Sequence, residues 1–191
     1  MPWKCRKMTN PIKKYPTIGA CGLDCGLCPR YYTQGPSRCP GCCGPDFFSK
    51  HPLCSFVTCC VKKKNLEVCA DCPEFPCPKF EFEGENSYDS FITHRKTVFN
   101  LNFIKENGIE KFIERQKKRI KLLETMLNDY DEGRSKSFYC IATALLSIES
   151  LEKSLNNVEK SDNIKIRAKN LKKILNEMAS RKGVELKLRK K

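Results

Sequence analysis

Twelve of the fourteen cysteines lie between Cys21 and Cys77, and their spacing is that of metal ligands. The window runs Cys21-x3-Cys25-x2-Cys28, Cys39-x2-Cys42-Cys43, Cys54-x4-Cys59-Cys60 and Cys69-x2-Cys72-x4-Cys77. A two-residue gap lets two thiolates turn inward on one metal centre. Cys25-x2-Cys28 and Cys39-x2-Cys42 make one four-thiolate set; Cys54-x4-Cys59 with Cys69-x2-Cys72 makes a second. Cys21 and Cys77 flank the quartets and can replace a ligand, bridge two metals or ligate a cluster. Adjacent cysteines rarely face one metal together, so Cys43 and Cys60 are the weaker members. His51 is read as an exposed loop histidine, because thiols are abundant around it.

All-sulfur tetrahedral sites suit zinc or iron–sulfur. The paired knuckles favour closed zinc sites. Three close cysteines with a distant fourth suit a [4Fe–4S] cluster, and Cys21, Cys25 and Cys28 supply three. Zinc is narrowly favoured, with about two metal centres expected. The Cys21-x3-Cys25-x2-Cys28 spacing also matches the cluster motif of radical enzymes that cleave S-adenosylmethionine. Those enzymes alternate strands and helices, whereas this motif is followed by more cysteines and then by helical sequence.

The elements that must hold these thiols divide the chain. Its 191 residues suit one domain or two small ones. No secretory signal is visible at the start, and the longest apolar run, Ile141 to Leu146, is broken by Thr143. A cytoplasmic protein without membrane contact is expected, and in a reducing compartment clustered cysteines point to metal rather than disulfides. Residues 1–18 are basic and contain three prolines, which predicts a flexible arm. Residues 19–80 are rich in Cys, Gly and Pro. They predict a small metal-stabilised domain with little regular secondary structure. Residues 81–86 read as a linker, 87–183 as an all-α region of about four helices, and 184–191 as a basic tail. The helices are expected over Asp89 to Glu106, from Ile109 to before Gly133, through the stripe Ile141, Leu145, Ile148, Leu151, Leu155 and Val158, and from a cap at Asp162 to Gly183.

The net charge of +14 is uneven: +7 over residues 1–80, −1 over 81–160 and +8 over 161–191. Ten thiolates on two divalent ions would add about −6 and nearly cancel the first excess. Arg115, Lys117, Lys118, Arg119 and Lys121, with Lys187, Arg189, Lys190 and Lys191, offer a route to nucleic acid. Aromatics are sparse near them, so a solvated face is favoured over a base-reading surface. Arg134, Ser135, Lys136 and Ser137 open a helix and form a candidate anion site; a capping serine with solvated cations is favoured there. Cys140 is expected in the core, and His94 on a helix face.

The cysteine blocks carry a resemblance. Cys21-Gly-Leu-Asp-Cys-Gly-Leu-Cys-Pro-Arg-Tyr31, Cys39-Pro-Gly-Cys42, Cys54-Ser-Phe-Val-Thr-Cys59 and Cys69-Ala-Asp-Cys-Pro-Glu-Phe-Pro-Cys77 resemble the Cys-rich prokaryotic family called domain of unknown function 3795. The four blocks stand in the family's order across residues 19–80, and the helical half is similar to its longer members. Such proteins come largely from anaerobes, which raises the iron–sulfur option. The resemblance implies ten ligands: Cys21, Cys25, Cys28, Cys39, Cys42, Cys54, Cys59, Cys69, Cys72 and Cys77. Cys43 and Cys60 fall at the family's non-cysteine positions. The family brings no established activity. The expectation is therefore a non-catalytic metal-binding module that serves a protein or redox partner. An iron–sulfur electron carrier and a nucleic-acid binder with structural zinc are the alternatives.

Overall fold

The computed structural model describes residues 11–83, 88–159 and 161–190, and these are helical and turn structure with no strand among them. The cysteine segment is built from short pieces. They are 3-10 turns at Cys25–Leu27, Cys69–Asp71 and Pro78–Glu83, a four-residue helix α1 (Phe47–Lys50), and a wide helical turn at Val57–Lys63. Five longer helices follow: α2 (Thr97–Asn107), α3 (Ile109–Asp129), α4 (Lys136–Leu145), α5 (Ile148–Asn157) and α6 (Ile164–Ser180).

The helix boundaries correct the expectation in three places. The first helix starts at Thr97, not at Asp89. Asp89 instead organises a non-helical lead-in, accepting from the His94 amide at 2.8 Å and the Thr93 hydroxyl at 3.4 Å. His94 therefore sits in that lead-in, where its Nε2 lies 2.9 Å from the Ser90 hydroxyl, and not on a helix face. The stripe from Ile141 to Val158 belongs to two helices. Ser147 turns extended (ψ 156°) and caps α5 by accepting from the Ser150 amide at 3.3 Å. Side chains of that size and spacing continue in phase across the break, so periodicity alone cannot reveal it. Asn163, rather than Asp162, caps α6, accepting from the Lys165 amide at 2.9 Å. Gly183 ends that region in the left-handed conformation (φ 63°), as its position predicts.

The cysteine segment and the helices are not separate bodies. One buried cluster joins Ile18, Phe47, Val57, Val68 and Phe75 to Leu101, Ile104, Phe112 and Ile113 of α2 and α3. A second joins Leu27 to Leu123, Met126, Tyr139, Leu151 and Leu171 of α3 to α6. Gly22 makes the close approach to α2 feasible. Its φ of +89° and the 2.4 Å that would separate an added Cβ from the Thr97 carbonyl oxygen exclude any larger residue. A polar node fixes the register. The Gln116 amide donates to Asp24 Oδ1 at 2.7 Å and to the Thr17 carbonyl at 2.9 Å; the Asn100 amide donates to Asp24 Oδ2 at 3.0 Å and to the Gly22 carbonyl at 2.9 Å.

Both ends depart from the expected arm and tail. Pro11 to Ile18 is not free: Lys13 and Ile18 are buried, and the Cys42 amide donates to the Pro16 carbonyl at 2.7 Å. The rest of the arm, residues 84–86 of the linker and residue 87 lie outside the described residues. The tail docks through buried Leu186, through Arg95 donating to the Glu185 and Lys187 carbonyls at 2.9 and 2.7 Å, and through an Arg189–Asp89 ion pair at 3.3 Å.

Two outcomes are expected. A chain ending at Glu83 loses the cover of Leu101, Ile104, Phe112 and Ile113, buried side chains worth about 1.5–3 kcal/mol each. It should lack a cooperative unfolding transition even when supplied with metal, as read by denaturant titration. Burial raises the Asp89 pKa, but hydrogen bonds from the Arg189 and His94 amides and from the Arg189 side chain outweigh it and hold Asp89 below the usual carboxylate range. The stabilisation is thus present above the unfolded value of about 3.9 and lost as pH falls through the folded value. The loss of melting temperature in Asp89→Asn should be largest at neutral pH and shrink on acidification.

Candidate metal centre

Local geometry explains the two-residue gaps. In both Cys25–Cys28 and Cys69–Cys72 the second cysteine's amide donates to the first one's carbonyl, at 3.2 and 3.1 Å, closing a 3-10 turn. Residues three apart eclipse in such a turn, so the paired thiols share a face. Cys39-Pro-Gly-Cys42 is shaped differently. Gly41 takes φ +86° with its α-carbon pressed on the Pro16 carbonyl, where an added Cβ would stand 2.3 Å from the oxygen. Cys54 starts the turn that leads into Val57–Lys63, its carbonyl accepting from the Thr58 amide at 2.9 Å.

The thiols form two adjoining nests. In the first, Cys25 lies in the field of Cys42, Cys21 and Cys28; burial first, then Cys42 and Cys21, push its pKa up. Cys28 faces Cys39 in turn and is raised mainly by burial. In the second, Cys59, Cys60, Cys69, Cys72 and Cys77 line one cavity of about 30 Å3, closed by Phe56, Phe75 and Phe80. Cys21 acts on Cys69, and Cys42 acts on Cys60, so the nests touch. Cys54 lies apart from the second cavity: it lines a surface groove with Cys59, and its field reaches Cys43. Cys59, Cys69 and Cys72 of the expected second quartet line the second cavity together with Cys77, and Cys54 does not.

Cys43 and Cys60 are deeply buried, at 0% and 2% exposure, which their spacing does not announce. The Cys43 thiol hydrogen-bonds Cys42, and Cys69 hydrogen-bonds Cys60. Cys42 is held down to about 6, first by Cys43 against the cost of burial, then by the Lys13 charge and the Ala20 amide at 3.4 Å. The thirteen described cysteines are not joined in disulfides. Among the described residues, no three Cys, His, Asp or Glu side chains converge as a ligating group. What fits a thiophilic ion is the donor set: half-buried and buried sulfur from four chain segments, two of its pairs closed by turns.

Lys13 stands among these thiols. It is 4% exposed, donates to the Ile18 carbonyl at 2.6 Å, and has Glu67 at 3.9 Å. Its charge lowers the pKa of Cys25, Cys42, Cys43 and Cys60. Sequence reasoning missed it, because a lysine in a basic, proline-containing stretch carries no periodic signal. At the edge of the second nest, Lys64 donates to Cys72 Sγ at 3.1 Å while paired with Glu74 at 2.7 Å.

The remaining candidates fall elsewhere. His51 is exposed and stacks on Phe47 at 4.6 Å. Cys140 is buried on α4, within the field of Cys28. Ser135 is buried at the start of α4, and its hydroxyl donates to Glu132. The Ser135 and Gly133 amides donate to Asp131 at 2.9 and 3.0 Å, so a carboxylate of the chain already takes the donors an anion would use. Arg134 and Ser137 are exposed, and Lys136 reaches the Tyr32 carbonyl at 3.4 Å. The basic stretch of α3 splits by face. Lys117, Lys118 and Lys121 are exposed, whereas Arg119 is half-buried and donates to the Thr143 carbonyl and, at 2.7 Å, to that of Leu146.

Residues 17–82, which hold both nests, match a family model described as protein of unknown function (DUF3795). The match covers the cysteine segment that resembles this family in its blocks, and leaves α2 to α6 outside it. No curated protein matches the chain, and no solved structure matches it. No described helix is long and apolar enough to cross a membrane.

Proposed function

We propose that this is a metal-binding protein whose cysteines hold about two centres, with zinc favoured over [4Fe–4S], and that it acts as a cytosolic non-catalytic interaction or redox-partner module. The observation that carries the reading is the buried Lys13 ammonium amid Cys25, Cys42, Cys43 and Cys60. A buried charge is costly unless compensated. Four thiolates on one divalent ion carry about −2, and the ammonium supplies the opposite sign where it is needed. The paired two-residue gaps between cysteines favour single zinc ions over a cluster. When bound, the metal would crosslink chain segments that have few long elements of their own. The residues then divide the work: Cys21, Cys25, Cys28, Cys39 and Cys42 serve one centre, and Cys59, Cys69, Cys72 and Cys77 the other, with Cys54 at its outer edge.

Metal analysis of protein purified without oxygen tests this directly. About two zinc ions per chain in a colourless protein are expected. A brown protein with acid-labile sulfide would replace zinc by iron–sulfur, and a metal-free, folded chain would end the proposal. Cys25→Ser and Cys42→Ser should each lose metal and unfold the cysteine segment, whereas Cys43→Ala and Cys60→Ala should keep full metal content. Lys13→Met should hold metal less well against acid. Without the cation, protons compete better for the thiolates, so zinc release on acidification, followed with a chromogenic chelator, should move to higher pH by roughly one unit.

A further inference from the structure

A cavity of about 330 Å3 lies between α2, α3, the α4–α5 junction and the chain after α6, with Asp24 in its lining. Its size is that of a small-molecule site. Its charge is one-sided: Lys96, Arg115, Arg119 and Lys182 line it, against the single carboxylate of Asp24. Asp24 is already engaged by Gln116 and Asn100. Among the described residues, none of the four cations has a carboxylate within ion-pairing distance. Glu149, outside the lining, interacts with Arg119 and Lys182 through its charge without pairing directly with either. Burial is the main cause of a lowered pKa at Lys96, with Arg119 and Lys182 adding repulsion, so the cations face one another.

The second half of the lining is aromatic. Lys96 lies over the Phe99 ring at 4.7 Å, and Arg115 over Phe103 at 4.4 Å. Phe99 and Phe103 are four apart on α2, and Arg115 and Arg119 are four apart on α3, so each helix turns one continuous face to the cavity. Phe112 and Val184 complete an apolar wall. The Arg119 guanidinium is held in place by the Thr143 and Leu146 carbonyls, and Lys182 reaches Ser147 Oγ at 3.1 Å. Fixed guanidinium and ammonium groups beside flat rings suit a doubly charged phosphate on a planar body.

We propose that this cavity binds a small phosphomonoester of nucleotide size, its phosphate among Lys96, Arg119 and Lys182 and its planar body against Phe99 and Phe103. Neither the metal nor its identity enters the proposal, and it would stand if the cysteines bound nothing.

Calorimetric titration of the full chain, as purified, with AMP and with uncharged adenosine tests it. AMP should bind, adenosine should bind at least about tenfold more weakly, and AMP binding should weaken as salt rises. Arg119 also holds the end of α4, so the informative variants are Lys96→Ala and Lys182→Ala at the rim. Each should weaken AMP about tenfold, equivalent to about 1.4 kcal/mol. Lys117→Ala, on the exposed face of α3, should leave it unchanged. No heat from AMP at millimolar concentration, equal binding of adenosine, or an equal loss in Lys117→Ala would overturn the proposal.

Discussion

The structure depends on a buried carboxylate, Asp24, held by two amide side chains. Gln116 reaches it from α3 and Asn100 from α2, and each also takes a carbonyl of the cysteine segment. A carboxylate in that position costs free energy unless its oxygens are satisfied. Burial raises its pKa, while hydrogen bonds from Gln116 and Asn100 and the charge of Arg119 pull the other way. Because the donors sit on different helices, the node permits one register between the Cys21–Cys28 loop and the pair α2–α3. Gly22 reinforces this by admitting no side chain between loop and helix.

From that register the rest follows. Cys25, next to Asp24, turns into the first thiol nest, and Leu27 enters the helical core. Lys13 reaches the nests because Pro16 and Thr17 are pinned by the Cys42 and Gly26 amides at 2.7 Å each. The cysteine segment is therefore supported from two directions: by helices beneath it and by a buried cation within it. Cores this small are marginal alone, and shared packing removes that burden from the thiols.

Legibility tracked the kind of constraint. Cysteine spacing was readable because 3-10 turns at Cys25–Cys28 and Cys69–Cys72 put residues three apart on one face, and helical periodicity was readable because burial repeats every three or four residues. The α4–α5 break was not, since Ile141, Leu145, Ile148 and Leu151 stay in phase while Ser147 leaves the helix. Nor was the burial of Cys43 and Cys60, whose chain neighbours mask them. Lys13, Asp24, Arg119 and Lys182 act across long separations in sequence, and no local pattern marks a residue whose partners are supplied by the fold. The basic stretch of α3 misled for the same reason: its charges are contiguous in the chain but divide between solvent and cavity.

The peptide unit between Asp24 and Cys25 forms a thin wall. Asp24 lines the cationic cavity, and Cys25 stands in the thiol nest. Arg119 touches both accounts of this wall, acting on Asp24 while fastening the end of α4. A charge added to the cavity would therefore stand one residue from the Cys25 thiol. The cavity lining and the thiol nest thus meet at one peptide unit of backbone.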